Sequence, residues 1–195
     1  TSKYFINNVN FPDEYIKRNG QIEVHTMHGT PLKTLGLEDL SSTPEQNETL
    51  IKRTSRWDYV VVQGEFTAGK IKGCYGVEPQ IMRTGYPRTD TMYNVSPERI
   101  AKLKKTLNIP EGKKVIFYAP TWRIKNVFDM KLDIENFRKK LGDDYVLLVR
   151  IHHLCSKGYT VPADNKVVFD MGKYHSIEDL YLISDILITD YSSAM

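Results

Sequence analysis

Short runs of β-branched and aromatic residues alternate along this chain with segments of helical periodicity. Most of these runs show no regular alternation with polar residues, which predicts strands that are buried on both faces. Strands of that kind, separated by helices, are typical of an α/β fold with doubly wound parallel sheets. The predicted strands cover residues 4–6, 22–24, 59–62, 80–83, 115–118, 145–149, 167–169 and 186–189.

Three helices are predicted after residue 95 from their start and stop signals. Ser96 is a good N-cap and Pro97 suits the first helical position, whereas Gly142 ends the second helix and Ser176 caps the third. Their apolar stripes are Ile100, Leu103 and Leu107, then Ile134, Phe137 and Leu141, then Ile177, Leu180 and Tyr181. Residues 36–48 are polar, and we expect a surface loop there.

A boundary between two lobes is expected where a turn-rich segment gives way to a new helix. Residues 85–90 contain Gly, Pro and Asp without helical period, and Ser96 then opens a helix–strand unit. We therefore divide the chain into residues 1–94 and residues 95–195. Because the chain begins at one predicted strand and ends just beyond another, both lobes are expected to be incomplete.

Composition excludes several classes of protein. Of 195 residues, 41% are hydrophobic and 26% charged. The net charge of +3 favours anionic substrates or an anionic membrane face without indicating nucleic acid. No apolar run is long enough to cross a bilayer, and the first residues lack the features of a signal peptide. Cys74 and Cys155 have neither zinc-site nor disulfide spacing and predict reduced thiols in the cytosol.

Polar clusters follow several predicted strands, where open α/β sheets bind their ligands. The first contains His28, followed by Gly29 and Thr30. An imidazole titrates near neutral pH and can accept a proton from an alcohol, so His28 is a candidate general base. The alternative is a structural histidine in the core or at a helix cap.

Two further clusters offer groups that suit phosphate oxygens. Arg88 follows the strand at residues 80–83 and presents a forked donor, although an exposed arginine on a hinge turn is an equal alternative. Thr121 and neighbouring amides follow residues 115–118, and Trp122 beside them suits either a nucleotide base or a structural interface.

The last two clusters lie late in the chain. Arg150 and His152 project to the same side of an extended segment, which suits a diphosphate leaving group. Ser192 and Ser193 open a presumed helix after residues 186–189, either as an anion site or as a plain cap. His152 and His153 raise a zinc alternative, but they face opposite ways and lack a carboxylate, so no metal site is predicted.

Motifs of other enzyme classes are absent from the sequence. It contains no GxGxxG, no GxxxxGK[ST], no HExxH and no GxSxG. Dinucleotide redox enzymes, P-loop ATPases, zinc proteases and α/β hydrolases therefore lose support, and no cofactor is predicted.

Taken together, the clusters resemble the CDP-glycerol glycerophosphotransferase family of teichoic acid polymerases and primases. The matching segments are residues 28–33, 85–90, 118–123, 150–152 and 189–193, in the family's order. The resemblance implies a GT-B-like architecture of two Rossmann-like lobes, with an acceptor side in residues 1–94 and a CDP-glycerol side in residues 95–195. It also implies transfer of glycerol phosphate from CDP-glycerol to a lipid-linked polyol-phosphate acceptor, with release of CMP.

Carried over onto matching positions, the resemblance gives roles to individual residues. His28 would be the general base, and His152 would stabilise or protonate the leaving phosphate. The substrate-binding residues would be Gly29, Thr30, Pro31, Leu32, Arg88, Thr121, Trp122, Arg150, Ile151, Ser192 and Ser193. The full-length protein would then work as a peripheral protein at the cytoplasmic face of the membrane.

Three alternatives remain open from the sequence. The first is a ribitolphosphotransferase that uses CDP-ribitol, since the matching segments do not separate the two polyols. The second is a GT-B nucleotide-sugar glycosyltransferase or epimerase. The third is a truncated lobe that binds ligand without catalysis.

Overall fold

The computed structural model describes residues 2–121, 131–151, 160–164 and 166–190. These residues form two compact units that divide between Asp90 and Thr91. The division falls in the turn-rich segment, a few residues before the boundary that we placed after residue 94.

The first unit is built on a four-stranded parallel sheet with strand order β1-β2-β3-β4. Neighbouring strands in the sheet are also consecutive along the chain, and a helix precedes β3 and another precedes β4. The elements are β1 (Tyr4–Asn7), β2 (Ile22–His25), α1 (Pro44–Thr54), β3 (Tyr59–Val61), α2 (Glu65–Tyr75) and β4 (Gln80–Met82).

Helix α1 corrects the prediction of a loop over residues 36–48. A 3-10 helix covers Gly36–Glu38, and α1 begins at Pro44. The Thr43 side chain accepts from the Gln46 amide, and the Gln46 side chain accepts from the Thr43 amide, which completes a capping box. The capping residues can be read in the sequence, but the polar character of residues 36–48 led to the prediction of a loop.

The second unit contains a parallel sheet with strand order β7-β6-β5-β8. Its elements are α3 (Pro97–Thr106), β5 (Lys114–Ala119), α4 (Ile134–Leu141), β6 (Tyr145–Val149), β7 (Val168–Asp170), α5 (Ile177–Ile183) and β8 (Ile186–Thr189). The predicted caps of α3 and α5 are confirmed, because Ser96 accepts from the Arg99 amide and Ser176 from the Asp179 amide. Gly142 ends α4 as predicted.

Burial on both faces holds for the central strands and fails for three of the outer ones, β1, β4 and β8. Phe117 and Leu148 are buried on one face of the second sheet, and Leu147 and Val149 on the other. By contrast, β1 lies at the edge of the first sheet and leaves Ile6 72% exposed, while β8 has partly exposed side chains throughout. An edge strand has a neighbour on one side alone, so fewer side chains cover it.

The α/β fold class with parallel sheets is therefore confirmed. Within the described ranges, no helix combines the length and apolar character that crossing a membrane requires.

Candidate active site

The carboxyl ends of the strands in the first sheet carry the predicted residues of the first unit. Parallel strands end at the same edge, so the loops after β2, β3 and β4 meet there. Thr30, after β2, donates its hydroxyl hydrogen to Oε1 of Gln63, after β3, at 2.8 Å. Arg88, after β4, donates from Nη1 to the main-chain oxygen of His28 at 3.1 Å. The edge thus unites His28, Thr30 and Arg88, as expected from the sequence.

The imidazole of His28 is held by one of its two nitrogens. Nδ1 lies 3.0 Å from the main-chain oxygen of Asn8, and the residue is exposed. A carbonyl oxygen only accepts hydrogen bonds, so this contact requires the hydrogen on Nδ1. In the neutral ring, Nε2 is then the acceptor, which is the arrangement of a general base.

Local backbone geometry places His28 at the edge of the sheet. Met27, just before it, has φ of 56°, a left-handed conformation that costs energy in any residue with a Cβ. Met27 is 5% exposed and belongs to the apolar core of the unit. Burial of the Met27 side chain stabilises the turn that precedes His28.

Strand β2, which leads into this turn, contains buried ionisable groups. Glu23 is fully buried, and burial raises the pKa of its carboxyl group. The ring of His25 stacks on Trp57 with centroids 3.9 Å apart. Burial, with a smaller contribution from nearby His28, lowers the pKa of His25 from 6.5 to about 4. His25 is therefore a neutral core histidine at physiological pH.

The remaining residues of the first motif form the loop after His28. The Leu32 amide donates to the Thr30 oxygen at 2.9 Å, which closes a tight turn around Pro31. Leu32 is 40% exposed and Gly29 is half-buried. The loop therefore presents mixed polar and apolar surface next to His28.

In the second unit, Thr121 is tied to Asp190 at the carboxyl ends of β5 and β8. The Thr121 amide donates to Oδ1 of Asp190 at 2.8 Å, and the Thr121 hydroxyl donates to the same oxygen. Thr189 adds a bond from its hydroxyl to the Ala119 oxygen at 2.7 Å. Both donors that we expected Thr121 to offer to phosphate are thus engaged by a carboxylate.

Arg150 and Ile151 follow β6 at the same edge of the second sheet. Nη1 of Arg150 donates to the Tyr174 oxygen at 2.6 Å, and its amide donates to the Tyr118 oxygen at 3.0 Å. Ile151 is 5% exposed and packs in an apolar cluster with Leu147. Its side chain supports the loop from within the core.

Four predicted residues lie outside the described residues: Trp122, His152, Ser192 and Ser193. Their roles remain predictions. Within the described part of the chain, no group of three or more His, Cys, Asp or Glu side chains is arranged to hold a metal ion.

The structure adds three groups that sequence reasoning missed: the Asn8 carbonyl, Gln63 and Asp190. Gln63 lies two residues beyond the end of β3, a position that strand-end reasoning identifies, but it belongs to no recognised motif. Asp190 stands inside a recognised segment, yet its role as the acceptor for Thr121 depends on a contact across 69 positions. Asn8 acts through its main chain, so no side-chain pattern reveals it.

A family model supplies the deciding comparison. The model described as CDP-Glycerol:Poly(glycerophosphate) glycerophosphotransferase matches residues 1–195. The chain belongs to this family. Membership confirms the resemblance that the sequence segments indicated.

Individual members of the family show how much of each relative is matched. The chain is 38% identical over 210 residues to a teichoic acid glycerol-phosphate transferase of Staphylococcus aureus, covering 100% of this chain and 54% of the relative. It is 36% identical over 211 residues to a teichoic acid poly(glycerol phosphate) polymerase of Staphylococcus epidermidis, covering 100% of this chain and 29% of the relative. This family member therefore spans about half, or less, of the length of these relatives.

A solved structure agrees with the fold. The wall teichoic acid polymerase TagF superposes with a TM-score of 0.88 at 35% sequence identity, covering 98% of this chain and 50% of that chain. The likeness supports the GT-B-like fold class predicted for this family member.

Proposed function

We propose that the protein transfers glycerol phosphate from CDP-glycerol to a hydroxyl of a polyol-phosphate acceptor and releases CMP. The observation that carries this proposal is the geometry of His28, whose Nδ1 faces the Asn8 oxygen at 3.0 Å and so leaves Nε2 as a base. Membership of the glycerophosphotransferase family supplies the reaction class.

The reaction proceeds by displacement at phosphorus. The acceptor hydroxyl gives its proton to Nε2 of His28 while its oxygen attacks the phosphorus that carries glycerol. As the new P–O bond forms, the bond between that phosphorus and the oxygen bridging to CMP breaks, and CMP leaves with the electron pair. Positioning and charge stabilisation dominate the catalysis of such reactions.

The second unit is assigned the donor-binding role. Arg150 supplies permanent positive charge at the carboxyl edge of its sheet, and His152 stabilises or protonates the leaving phosphate. The loop bearing Thr121 is kept in place by Asp190. Trp122, Ser192 and Ser193 complete the set assigned to CDP-glycerol.

Glycerol is favoured over ribitol by the pattern of relatives. Those named for glycerol phosphate include a 33% identical polymerase of Bacillus subtilis that aligns with 98% of this chain. A poly(ribitol-phosphate) polymerase of Bacillus spizizenii is 29% identical over 73% of this chain. The glycerol enzymes thus match more of the chain at higher identity.

The acceptor is assigned to the lipid-linked glycosyl or polyol-phosphate class, handled at the cytoplasmic face of the cell membrane. Relatives named teichoic acid polymerases and primases support this class. Because a lipid-linked acceptor is held in the membrane, we expect the full-length protein to bind the membrane surface peripherally.

The test is a donor comparison on the natural full-length protein. Release of CMP is measured with CDP-glycerol and with CDP-ribitol, each with a glycerol-phosphate acceptor, and UDP-sugars are titrated by thermal shift. We expect turnover and a raised melting temperature with CDP-glycerol, because a ligand that binds only the folded state stabilises it. Preference for CDP-ribitol or for a UDP-sugar would overturn the proposed donor.

A further inference from the structure

Gln63 contributes an exposed carboxamide to the carboxyl edge of the first sheet. Its Oε1 accepts the hydroxyl hydrogen of Thr30 at 2.8 Å across 33 positions of sequence. Thr30 lies two residues after His28, so the Cα atoms of these two residues are at most about 7.6 Å apart. The carboxamide is therefore held beside the loop that carries the candidate base.

The main chain on both sides of Gln63 is anchored. Before it, Val62 is fully buried, and its amide donates to the Met82 oxygen at 2.9 Å. After it, Gly64 is the N-cap of α2, and its oxygen accepts from the Ala68 amide at 3.1 Å. The side chain of Gln63 thus projects from a fixed point between β3 and α2.

The contact with Thr30 engages one end of the Gln63 carboxamide and leaves the other end available. Oε1 accepts from Thr30, whereas Nε2 carries two hydrogens and has no hydrogen-bond partner among the residues that the structure describes. A neutral amide donor suits a hydroxyl oxygen, while arginine is the side chain whose charge and forked donors suit phosphate oxygens. Gln63 therefore presents a directed donor for a neutral oxygen at the same edge as the candidate base.

We propose that Nε2 of Gln63 donates to a second hydroxyl of the acceptor, next to the hydroxyl that attacks. A terminal glycerol unit has two hydroxyls besides the oxygen that bears its phosphate, so one attacks while the other is bound. Gln63 is then a specificity-determining residue that selects a polyol over an alcohol with a single hydroxyl. The inference rests on the proposed function and gives a role to a residue that lies outside the segments matched to the family.

The experiment compares two acceptors in the natural full-length protein, with CMP release as the readout. One acceptor ends in glycerol phosphate, and the other ends in propane-1,3-diol phosphate, which keeps one hydroxyl and lacks the second. We expect the wild-type protein to favour the glycerol end by about threefold to tenfold in kcat/KM, which is the contribution of one exposed neutral hydrogen bond. In Gln63→Met, which keeps an unbranched side chain without a donor, we expect the preference to fall to about one.

The matched control is Gln80→Met. Gln80 is an exposed glutamine of the neighbouring strand and begins β4 at the opposite edge of the sheet, so this variant is expected to keep the wild-type preference. If Gln63→Met slows both acceptors equally, the contact with Thr30 only supports the loop, and the inference is wrong. An unchanged preference with KM for CDP-glycerol raised tenfold or more would assign Gln63 to the donor and also overturn it. Failure of the proposed function is a separate result, namely no CMP release by the wild-type protein with either acceptor.

Discussion

The two units have the same kind of sheet but differ in chemistry, both in their interiors and at their carboxyl edges. Among the residues that the structure describes, the buried polar and charged ones all lie in the first unit: Gln21, Glu23, His25, Thr54 and Thr67. The buried clusters of the second sheet consist of apolar and aromatic side chains. Titratable groups are thus built into the core of the unit that carries His28.

The carboxyl edges of the two sheets differ in the hydrogen-bond acceptor that holds the loop carrying the candidate site residues. In the first unit, neutral main-chain oxygens of Asn8 and His28 accept from the His28 ring and from Arg88. In the second unit, the carboxylate of Asp190 accepts from Thr121. A neutral acceptor orients His28 without adding negative charge, whereas a carboxylate makes a stronger bond to its loop. We therefore expect pH to act on the stability of the first unit through its buried core groups, His25 and Glu23.

The largest expected effect on the free energy of unfolding is its pH dependence, which we attribute to His25. Its folded-state pKa of about 4 lies below the ordinary 6.5, so the unfolded chain takes up a proton first as the pH falls. Stability contributed by neutral His25 is complete above pH 6.5 and is lost towards pH 4, by at most about 3 kcal/mol. Urea unfolding at pH 7, 5.5 and 4.5 measures this loss.

His25→Phe is the control, because phenylalanine preserves an aromatic ring against Trp57 without titrating. We expect the variant to lose less stability than wild type between pH 6.5 and 4. Glu23, whose pKa burial raises, acts with the opposite sign, since its contribution is lost as the pH rises. The difference between variant and wild type is therefore the readout, and identical pH slopes would contradict the assignment.

A smaller effect is expected from the carboxylates that flank β8. Asp190 accepts from the Thr121 amide at 2.8 Å beyond the carboxyl end of the strand pair, and Asp185 accepts from the Val115 amide at 2.7 Å at the opposite end. Replacing either with Asn keeps an acceptor and removes charge assistance, which lowers stability by about 1 kcal/mol. Only Asp190→Asn is expected to raise KM for CDP-glycerol, because only Asp190 holds the Thr121 loop. Equal KM values for CDP-glycerol in the two variants would contradict a donor-binding role for the loop that Asp190 holds.

Sequence reasoning recovered the central strands and the helices whose caps precede clear apolar stripes. It missed α2, whose buried residues are Thr67, Ile71 and Cys74, because a threonine and a cysteine weaken the apolar pattern. It identified His28, because the position of a histidine just after a predicted strand can be recognised from neighbouring residues alone. It did not find the Asn8 carbonyl or the left-handed turn at Met27, because both arise from packing between distant segments.

The central claim is that His28 takes the proton from the acceptor hydroxyl, and one comparison tests it most directly. CMP release from CDP-glycerol with acceptor is measured for the natural full-length protein and for His28→Asn. Because His28 is exposed and general-base catalysis contributes about a hundredfold to ten-thousandfold, we expect at least a hundredfold fall in rate with an unchanged melting temperature. A wild-type rate in the folded variant would contradict the account.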